Sequence, residues 1–253
     1  MVVNKKKGSY LPFFVTKLLK YDIINIEVII KILMKDIIIE GNPLLNEKSV
    51  DVELPFSKED EDILNDMIEY IDNSIDEEIA EKYDLRPAVG IAAPQIGVLK
   101  KMIVIYLTDE EGNEHFYAMV NPKIISYSEE KIYLPGGEGC LSVDREVKGL
   151  IHRARRITVD TYLYNPEDGT LSKEVLRLKN YPALVFQHEY DHLIGILFPQ
   201  RINQKNPIFV PENSFVGALI GAILCPTTYF LYQLIMAIFG YYYEDGSTFW
   251  VML

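Results

Sequence analysis

Cysteine is scarce in this chain, and long basic runs are absent. Two cysteines in 253 residues, Cys140 and Cys225, are too few for a disulfide framework, so a reducing, cytoplasmic location is expected. The net charge is −12 at pH 7 and the pI is about 4.9. This balance argues against direct, specific binding of nucleic acid. A hydrophobic share of 49% is ordinary for a globular protein.

The two ends of the chain differ from the rest. Residues 1–33 have lysines before an interrupted apolar stretch and lack a small-residue cleavage site, which argues against a signal peptide. We interpret them as an N-terminal extension, or as sequence upstream of a start at Met34. Residues 215–243 contain no charged residue and are long enough to span a bilayer. Residues 214–253 therefore form either a membrane anchor, with the preceding domain in the cytoplasm, or a non-native tail.

Between these ends, the pattern predicts helices and antiparallel strands. A helix is predicted from Ser57 through Ile71 and on toward Ile79, because apolar residues recur at helical spacing. A second helix, N-capped by Asn180 and ended by Gly195, is apolar nearly all round and hence buried. Strands are predicted at 102–107, 116–120, 123–127, 157–163 and 175–178. The fold class is therefore α+β, with antiparallel β-sheets around a central buried helix.

The second helix contains a metal-binding pattern at residues 187–192, QHEYDH. His188 and His192 are four residues apart, so both imidazoles share one helix face and can bind one metal ion. Glu189 lies at the edge of that face, close enough to reach a water on the metal without being a ligand. This is the H-E-x-x-H arrangement of metal-dependent hydrolases.

Two other stretches are rich in small residues. Residues 88–97, AVGIAAPQIG, allow another backbone to approach closely and contain a lone amide, Gln95. Taken alone, this stretch indicates a turn. Residues 134–142, LPGGEGCLS, crowd three glycines around Cys140 and expose backbone N–H groups on a bend. By itself, Cys140 is a metal ligand, a nucleophile or a buried apolar residue.

Together the three stretches resemble the peptide deformylase family. The matching motifs are AVGIAAPQ at 88–95, EGCLS at 138–142 and QHEYDH at 187–192, in the family's order. Residues 143–147, VDREV, resemble the longer form of the enzyme found in many Gram-positive bacteria. The resemblance covers residues 34–213 and implies that they form the catalytic domain. One departure is Ala88, where the family usually has glycine.

The resemblance implies a metallohydrolase that removes the formyl group from the N-terminal formylmethionine of newly made polypeptides and releases formate. One divalent metal ion would be held by Cys140, His188 and His192, leaving a fourth position open for water. The expected metal is Fe²⁺, with Zn²⁺, Ni²⁺ and Co²⁺ as alternatives, since a thiolate ligand suits iron or zinc.

The resemblance also implies catalytic and substrate-binding residues. Glu189 would move a proton from the attacking water to the leaving amine, while Gln95 and the Leu141 N–H would stabilise the oxyanion. Asp191 would pair with Arg153 to hold the helix. The substrate-binding residues would line a methionine pocket or pair with the peptide as an added strand. They are Val89, Tyr181, Leu184 and Val185 for the pocket, and Gly90, Gly137 and Glu138 for the peptide.

Partners and rival functions follow from the same residues. The expected partners are N-formylmethionyl nascent peptides, the ribosome near the exit tunnel, and a membrane through residues 215–243. Three alternatives stay open: a zinc peptidase with Glu212 as a ligand, a non-catalytic binding module, and a hydrolase with Cys140 as nucleophile. A three-histidine metallopeptidase is excluded because Phe198 stands where the third histidine would be.

Overall fold

The computed structural model of the protein describes residues 30–210. These residues form an α+β fold with an antiparallel sheet and few helices, as predicted. The helices are α1 (Lys58–Ile75), α2 (Glu77–Tyr83) and α3 (Asn180–Leu193). The strands are β1 (Gly90–Ala92), β2 (Met102–Thr108), β3 (Glu114–Tyr127), β4 (Lys131–Ile132), β5 (Arg153–Ala154), β6 (Arg156–Asn165) and β7 (Thr170–Lys179).

The strands form two antiparallel sheets. The larger has the order β1-β2-β3-β6-β7, and β4 pairs with β5 in a second sheet of two strands. Strands β6 and β7 form a regular ten-residue hairpin, in which Arg156 pairs with Lys179 at one end and Asn165 with Thr170 at the other. This hairpin confirms and extends the strands predicted at 157–163 and 175–178.

Helices α1 and α3 cover opposite faces of the larger sheet. Alternate residues of β2 point to opposite sides, as strand geometry requires. Met102 and Val104 pack in one apolar cluster with Leu64 of α1. Ile103 and Ile105 pack in another cluster, which includes Phe186 of α3. Within residues 30–210, these two apolar clusters therefore pack on opposite faces of the larger sheet.

Two predicted elements differ from the structure. The helix predicted to continue toward Ile79 breaks at Asp76, whose extended backbone ends α1 and whose side chain accepts a hydrogen bond from the Ile79 N–H at 3.0 Å. The strands predicted at 116–120 and 123–127 are one strand, β3. Asn121 adopts a φ of 52° at a register shift, so the strand is distorted there without ending.

The start of α3 also differs from prediction. Asn180 does not cap the helix, because its Oδ1 accepts a hydrogen bond from the Nε of Arg155 at 2.9 Å and its φ is 56°. Pro182 lies in the first turn, and Gly195 follows the helix, as predicted, with a φ of 74°. A Cβ at Gly195 would lie 2.5 Å from the carbonyl oxygen of Asn46, so this exit from α3 requires glycine.

The described residues include the last part of the predicted N-terminal extension and none of the apolar tail. Ile32, inside the predicted N-terminal extension, is buried in the same cluster as Leu64. The apolar segment at 215–243 lies outside the described residues. Between residues 30 and 210, no helix is both long and apolar enough to cross a membrane.

The packing of α1 generates a stability prediction. Leu64 is fully buried against the sheet, whereas Ile75 at the end of the same helix is 41% exposed. We expect Leu64→Ala to lower the free energy of unfolding by about 2–5 kcal/mol, because it removes buried methyl groups and leaves a cavity. The matched control Ile75→Ala should cost less than about 1 kcal/mol. Urea unfolding of the metal-loaded chain measures both, and equal midpoints would contradict this packing.

Candidate metal centre

Helix α3 presents two histidines to a cysteine from the loop between β4 and β5. The rings of His188 and His192 lie one helical turn apart, with centroids separated by 5.4 Å. The Sγ of Cys140 lies 3.3 Å from the Nε2 of His192. One ligand atom from each of the three residues lies within 4.8 Å of the others, and all three residues are buried. The structure thus brings together the three predicted ligands.

Unpartnered polar atoms show that this group fits a metal ion. The Nε2 of His188 is buried and has no hydrogen-bond partner among residues 30–210. Buried polar groups are nearly always paired, so such an atom indicates a missing partner. A thiolate and two imidazoles form a donor set suited to a transition metal such as zinc or iron. A divalent metal ion therefore fits the site.

Glu189 is fully buried beside this group. Neither carboxylate oxygen has a hydrogen-bond partner among the described residues. Burial raises the pKa of its carboxyl to about 7, while the positive charges of His188 and Arg153 oppose that rise. A carboxylate with a pKa near 7 can both accept and release a proton at neutral pH, as a general base requires.

Strand β1 leaves space for the Glu189 side chain. A Cβ at Gly90 would lie 2.7 Å from the Oε1 of Glu189. The stretch that the sequence indicated as a turn is therefore β1 followed by a 3₁₀ turn, Ala93–Ile96, and its first glycine is needed for close approach. Gln95 lies in that turn, where its Oε1 accepts a hydrogen bond from the Ala92 N–H at 2.8 Å.

The amide of Gln95 faces the cysteine loop. Its Nε2 lies 3.5 Å from the Sγ of Cys140 and 3.4 Å from the Oγ of Ser142. Leu141, between these two residues, is fully buried. The two predicted oxyanion donors, Gln95 and Leu141, thus lie on neighbouring segments beside the metal centre. Sequence analysis did not identify Ser142 as a contact of Gln95.

A buried ion-pair network joins the segments that carry the predicted ligands. Arg153 donates from Nε and Nη2 to the two carboxylate oxygens of Glu138, at 2.6 and 2.8 Å, and from Nη1 to Asp191 at 2.9 Å. The predicted pairing of Asp191 with Arg153 is therefore confirmed. Arg201, which the sequence did not indicate, binds the same carboxylate of Asp191 through Nη2 at 2.5 Å.

The side chain of Glu138 contacts a predicted metal ligand. Its Oε2 lies 2.8 Å from the Nδ1 of His188, and both of its oxygens accept hydrogen bonds from Arg153. That Glu138 binds substrate stays a prediction, and its buried carboxylate is engaged by these two residues. Although burial raises the pKa of Glu138, the charge of Arg153 and the contact with His188 lower it to about 2.

Opposite pKa shifts of the two histidines follow from these contacts. Burial lowers the pKa of His188, but its contacts with Cys140 and Glu138 outweigh burial and raise the pKa to about 10. Burial keeps the pKa of His192 well below its usual range, and the positive charge of His188 acts in the same direction. A metal ion at His188 would displace a proton, so metal binding at this centre is coupled to proton release.

The residues predicted for the methionine pocket pack together. Val89, Leu184 and Val185 are buried in one apolar cluster, and Tyr181 packs against it. Gly137, predicted to contact the peptide backbone, has a φ of 84°, and a Cβ there would lie 3.2 Å from the carbonyl oxygen of Gly149. Residue 137 therefore favours glycine for conformational reasons, whatever its role toward a peptide.

Comparisons with known proteins agree with this geometry. A family model described as Polypeptide deformylase matches residues 34–207. The chain is 54% identical over 181 residues to "Peptide deformylase 2" of Bacillus cereus, covering 72% of this chain and 96% of that protein. It is 52% identical over 183 residues to "Peptide deformylase" of Oceanobacillus iheyensis, covering 72% and 97%. A crystal structure of a probable peptide deformylase from Synechococcus phage S-SSM7 is similar, with a TM-score of 0.50, 36% identity, and coverage of 66% of this chain and 98% of that one.

The ion-pair network predicts an effect of Glu138 on metal affinity. We expect Glu138→Gln to weaken metal binding by about 10- to 100-fold, since the residue that orients a ligating histidine loses its charge. Competition with a chelator measures the dissociation constant. Glu146→Gln is the matched control, because Glu146 is 79% exposed and pairs with the exposed Lys148. Equal affinity in the two variants would show that the buried carboxylate does not support His188.

Proposed function

The chain belongs to the polypeptide deformylase family, and from that premise we propose that Cys140, His188 and His192 hold its metal ion and that Glu189 is its general base. It is a metal-dependent hydrolase that removes the formyl group from newly made peptides. The relatives from Bacillus and Oceanobacillus confirm the Gram-positive type. One observation supports the ligand proposal above others: the three ligand atoms lie within 4.8 Å of one another beside the unpartnered carboxylate of Glu189.

The proposed mechanism assigns proton transfer to Glu189. A divalent metal held by Cys140, His188 and His192 would supply Lewis-acid activation of a water molecule. Glu189 accepts a proton from the attacking water, and the resulting hydroxide adds to the formyl carbon. Glu189 then delivers the proton to the leaving amine nitrogen as the C–N bond breaks, giving formate and a free N-terminus. The raised pKa of Glu189 suits both halves of this transfer.

The remaining residues position the substrate and stabilise charge. The Nε2 of Gln95 and the backbone N–H of Leu141 donate to the oxygen that becomes negative during attack. Val89, Tyr181, Leu184 and Val185 bind the methionine side chain. Gly90 and Gly137 pair with the peptide backbone as an added strand. We place Glu138 behind His188, where it orients the ligand.

The first experiment measures formate release from formyl-Met-Ala-Ser by the anaerobically purified, full-length chain. We expect Glu189→Ala to lower kcat by about 10²–10⁴-fold, because general-base catalysis is lost. Its metal content should equal that of the wild type, since Glu189 is not a ligand. A variant that keeps its rate would exclude Glu189 as the base.

Two further variants separate the deformylase site from a zinc peptidase site. Cys140→Ala should lose bound metal, whereas Glu212→Ala should keep it. Glu212 lies outside the described residues, while Cys140 contacts His192 directly. If only the Glu212 variant lost its metal, the proposed ligand set would be wrong. Metal dependence of formate release would also argue against Cys140 as a nucleophile.

We propose Fe²⁺ as the native metal, with Zn²⁺, Ni²⁺ and Co²⁺ able to occupy the same ligands. Thiolate and imidazole suit each of these ions. We expect the ferrous form to lose activity in air faster than the nickel form, because both iron and the Cys140 thiolate oxidise. Formate release during timed exposure to air measures both decays. Equal rates for the two forms would contradict a ferrous, oxidation-sensitive centre.

The other predicted partners remain predictions from the sequence. N-formylmethionyl peptides are the substrates in this proposal. Contact with the ribosome near the exit tunnel stays a prediction, as does membrane attachment through residues 215–243, which lie outside the described residues.

A further inference from the structure

The two proposed oxyanion donors come from different segments, so a contact between those segments must fix their relative position. Gln95 follows β1, whereas Leu141 lies in the cysteine loop. The direct contacts of Gln95 with that loop are long, at 3.5 Å to the Sγ of Cys140 and 3.4 Å to the Oγ of Ser142. Such contacts are weak, and they fix the loop poorly on their own.

Arg86 makes a second connection between the same two segments. It lies four residues before Gly90, the first residue of β1. Its Nη2 donates a hydrogen bond to the carbonyl oxygen of Leu141, and its Nη1 donates to the Oδ1 of Asp144 at 3.1 Å. Its Nε is buried without a partner among residues 30–210, so the two Nη groups make the hydrogen bonds of this side chain.

The two hydrogen bonds of Arg86 differ in environment. The side chain of Asp144 is 77% exposed, and that of Arg86 is 24% exposed. An exposed ion pair contributes little, so the bond to Asp144 is the weaker restraint. The carbonyl of fully buried Leu141 has no comparable access to water, and a charged donor there forms a strong hydrogen bond.

The backbone of Arg86 is anchored to α1. The hydroxyl of Tyr70, a buried residue of α1, donates to the carbonyl oxygen of Arg86 at 3.2 Å. Two residues later, the N–H of Ala88 donates to the Oγ of Ser74 at 3.3 Å. The chain leading into β1 is therefore fixed to the helix, and the Arg86 side chain extends from this fixed point to the cysteine loop.

We propose that Arg86 is a positioning residue, which holds Leu141 so that its N–H and the Gln95 amide converge on one substrate oxygen. Fixing the Leu141 carbonyl restrains ψ of that residue, and the N–H that donates to substrate belongs to the same residue. Donors must lie within about 2.7–3.1 Å of the developing oxyanion, so a small displacement of the loop removes much of their effect. This inference rests on the proposed deformylase function.

The test compares three variants of the full-length, metal-loaded chain. We expect Arg86→Ala to lower kcat for formate release by about 10- to 100-fold, which is less than the full loss of one oxyanion donor. KM should stay within about threefold and metal content should be unchanged, because ligands and pocket are intact. Arg86→Lys should recover most of kcat, since lysine can donate to the Leu141 carbonyl. Asp144→Ala removes only the exposed ion pair with Arg86, so its kcat should stay within about twofold of the wild-type value.

Hydrogen exchange supplies a readout that does not depend on activity. Backbone amides in residues 138–144 should exchange faster in Arg86→Ala than in the wild type or in Asp144→Ala. An Arg86→Ala variant with wild-type kcat would overturn the proposal. So would a variant that loses metal together with kcat and whose KM changes by more than about threefold, since that would indicate general damage to the site. A wild type that releases no formate would instead overturn the proposed function, and the inference with it.

Discussion

The buried guanidinium of Arg153 is the constraint on which the metal centre depends. A charge taken out of water is tolerated only when it is paired and hydrogen-bonded, and Arg153 is 5% exposed. Its partners come from two other elements: Glu138 from the cysteine loop and Asp191 from α3. Satisfying this one charge therefore brings together β5, the loop and the helix. Each of those partners is within a few residues of a proposed ligand, so the charge also fixes the distance between ligands.

A second set of buried polar contacts joins α3 to β5 inside an apolar shell. Gln187 attaches α3 to β5, since its Oε1 accepts from the Ala154 N–H and its Nε2 donates to the Ala154 carbonyl. Around these bonds, α3 packs apolar side chains such as Phe186 against the sheet. Burial then acts on Glu189, because desolvation of its carboxyl raises the pKa to about 7. Preorganised electrostatic groups have their largest effect in a buried site of this kind.

Sequence reasoning predicted what local spacing determines. The four-residue spacing of His188 and His192 predicted two metal ligands, and the family resemblance added Cys140. Alternation predicted the two strands of the β6–β7 hairpin. Sequence reasoning predicted the pairing of Asp191 with Arg153 through the family resemblance, but not the pairing of Glu138 with Arg153. Glu138 was assigned to substrate through the same resemblance. Nothing local in the sequence shows that Glu138 meets Arg153 or that Arg201 meets Asp191. The break between α1 and α2 was missed because apolar periodicity continues across Asp76, whose side chain caps the next helix.

One close approach has a consequence for how the chain can vary. The Glu189 carboxylate occupies the space that a side chain at residue 90 would need, with 2.7 Å between its Oε1 and a hypothetical Cβ. The two positions, 99 residues apart in sequence, behave as a single volume shared by two residues. A larger residue at 90 must displace the carboxylate, and a shorter acid at 189 would leave a gap against β1. Substitutions at these two sites are therefore not independent, because a change at either residue alters the space available to the other.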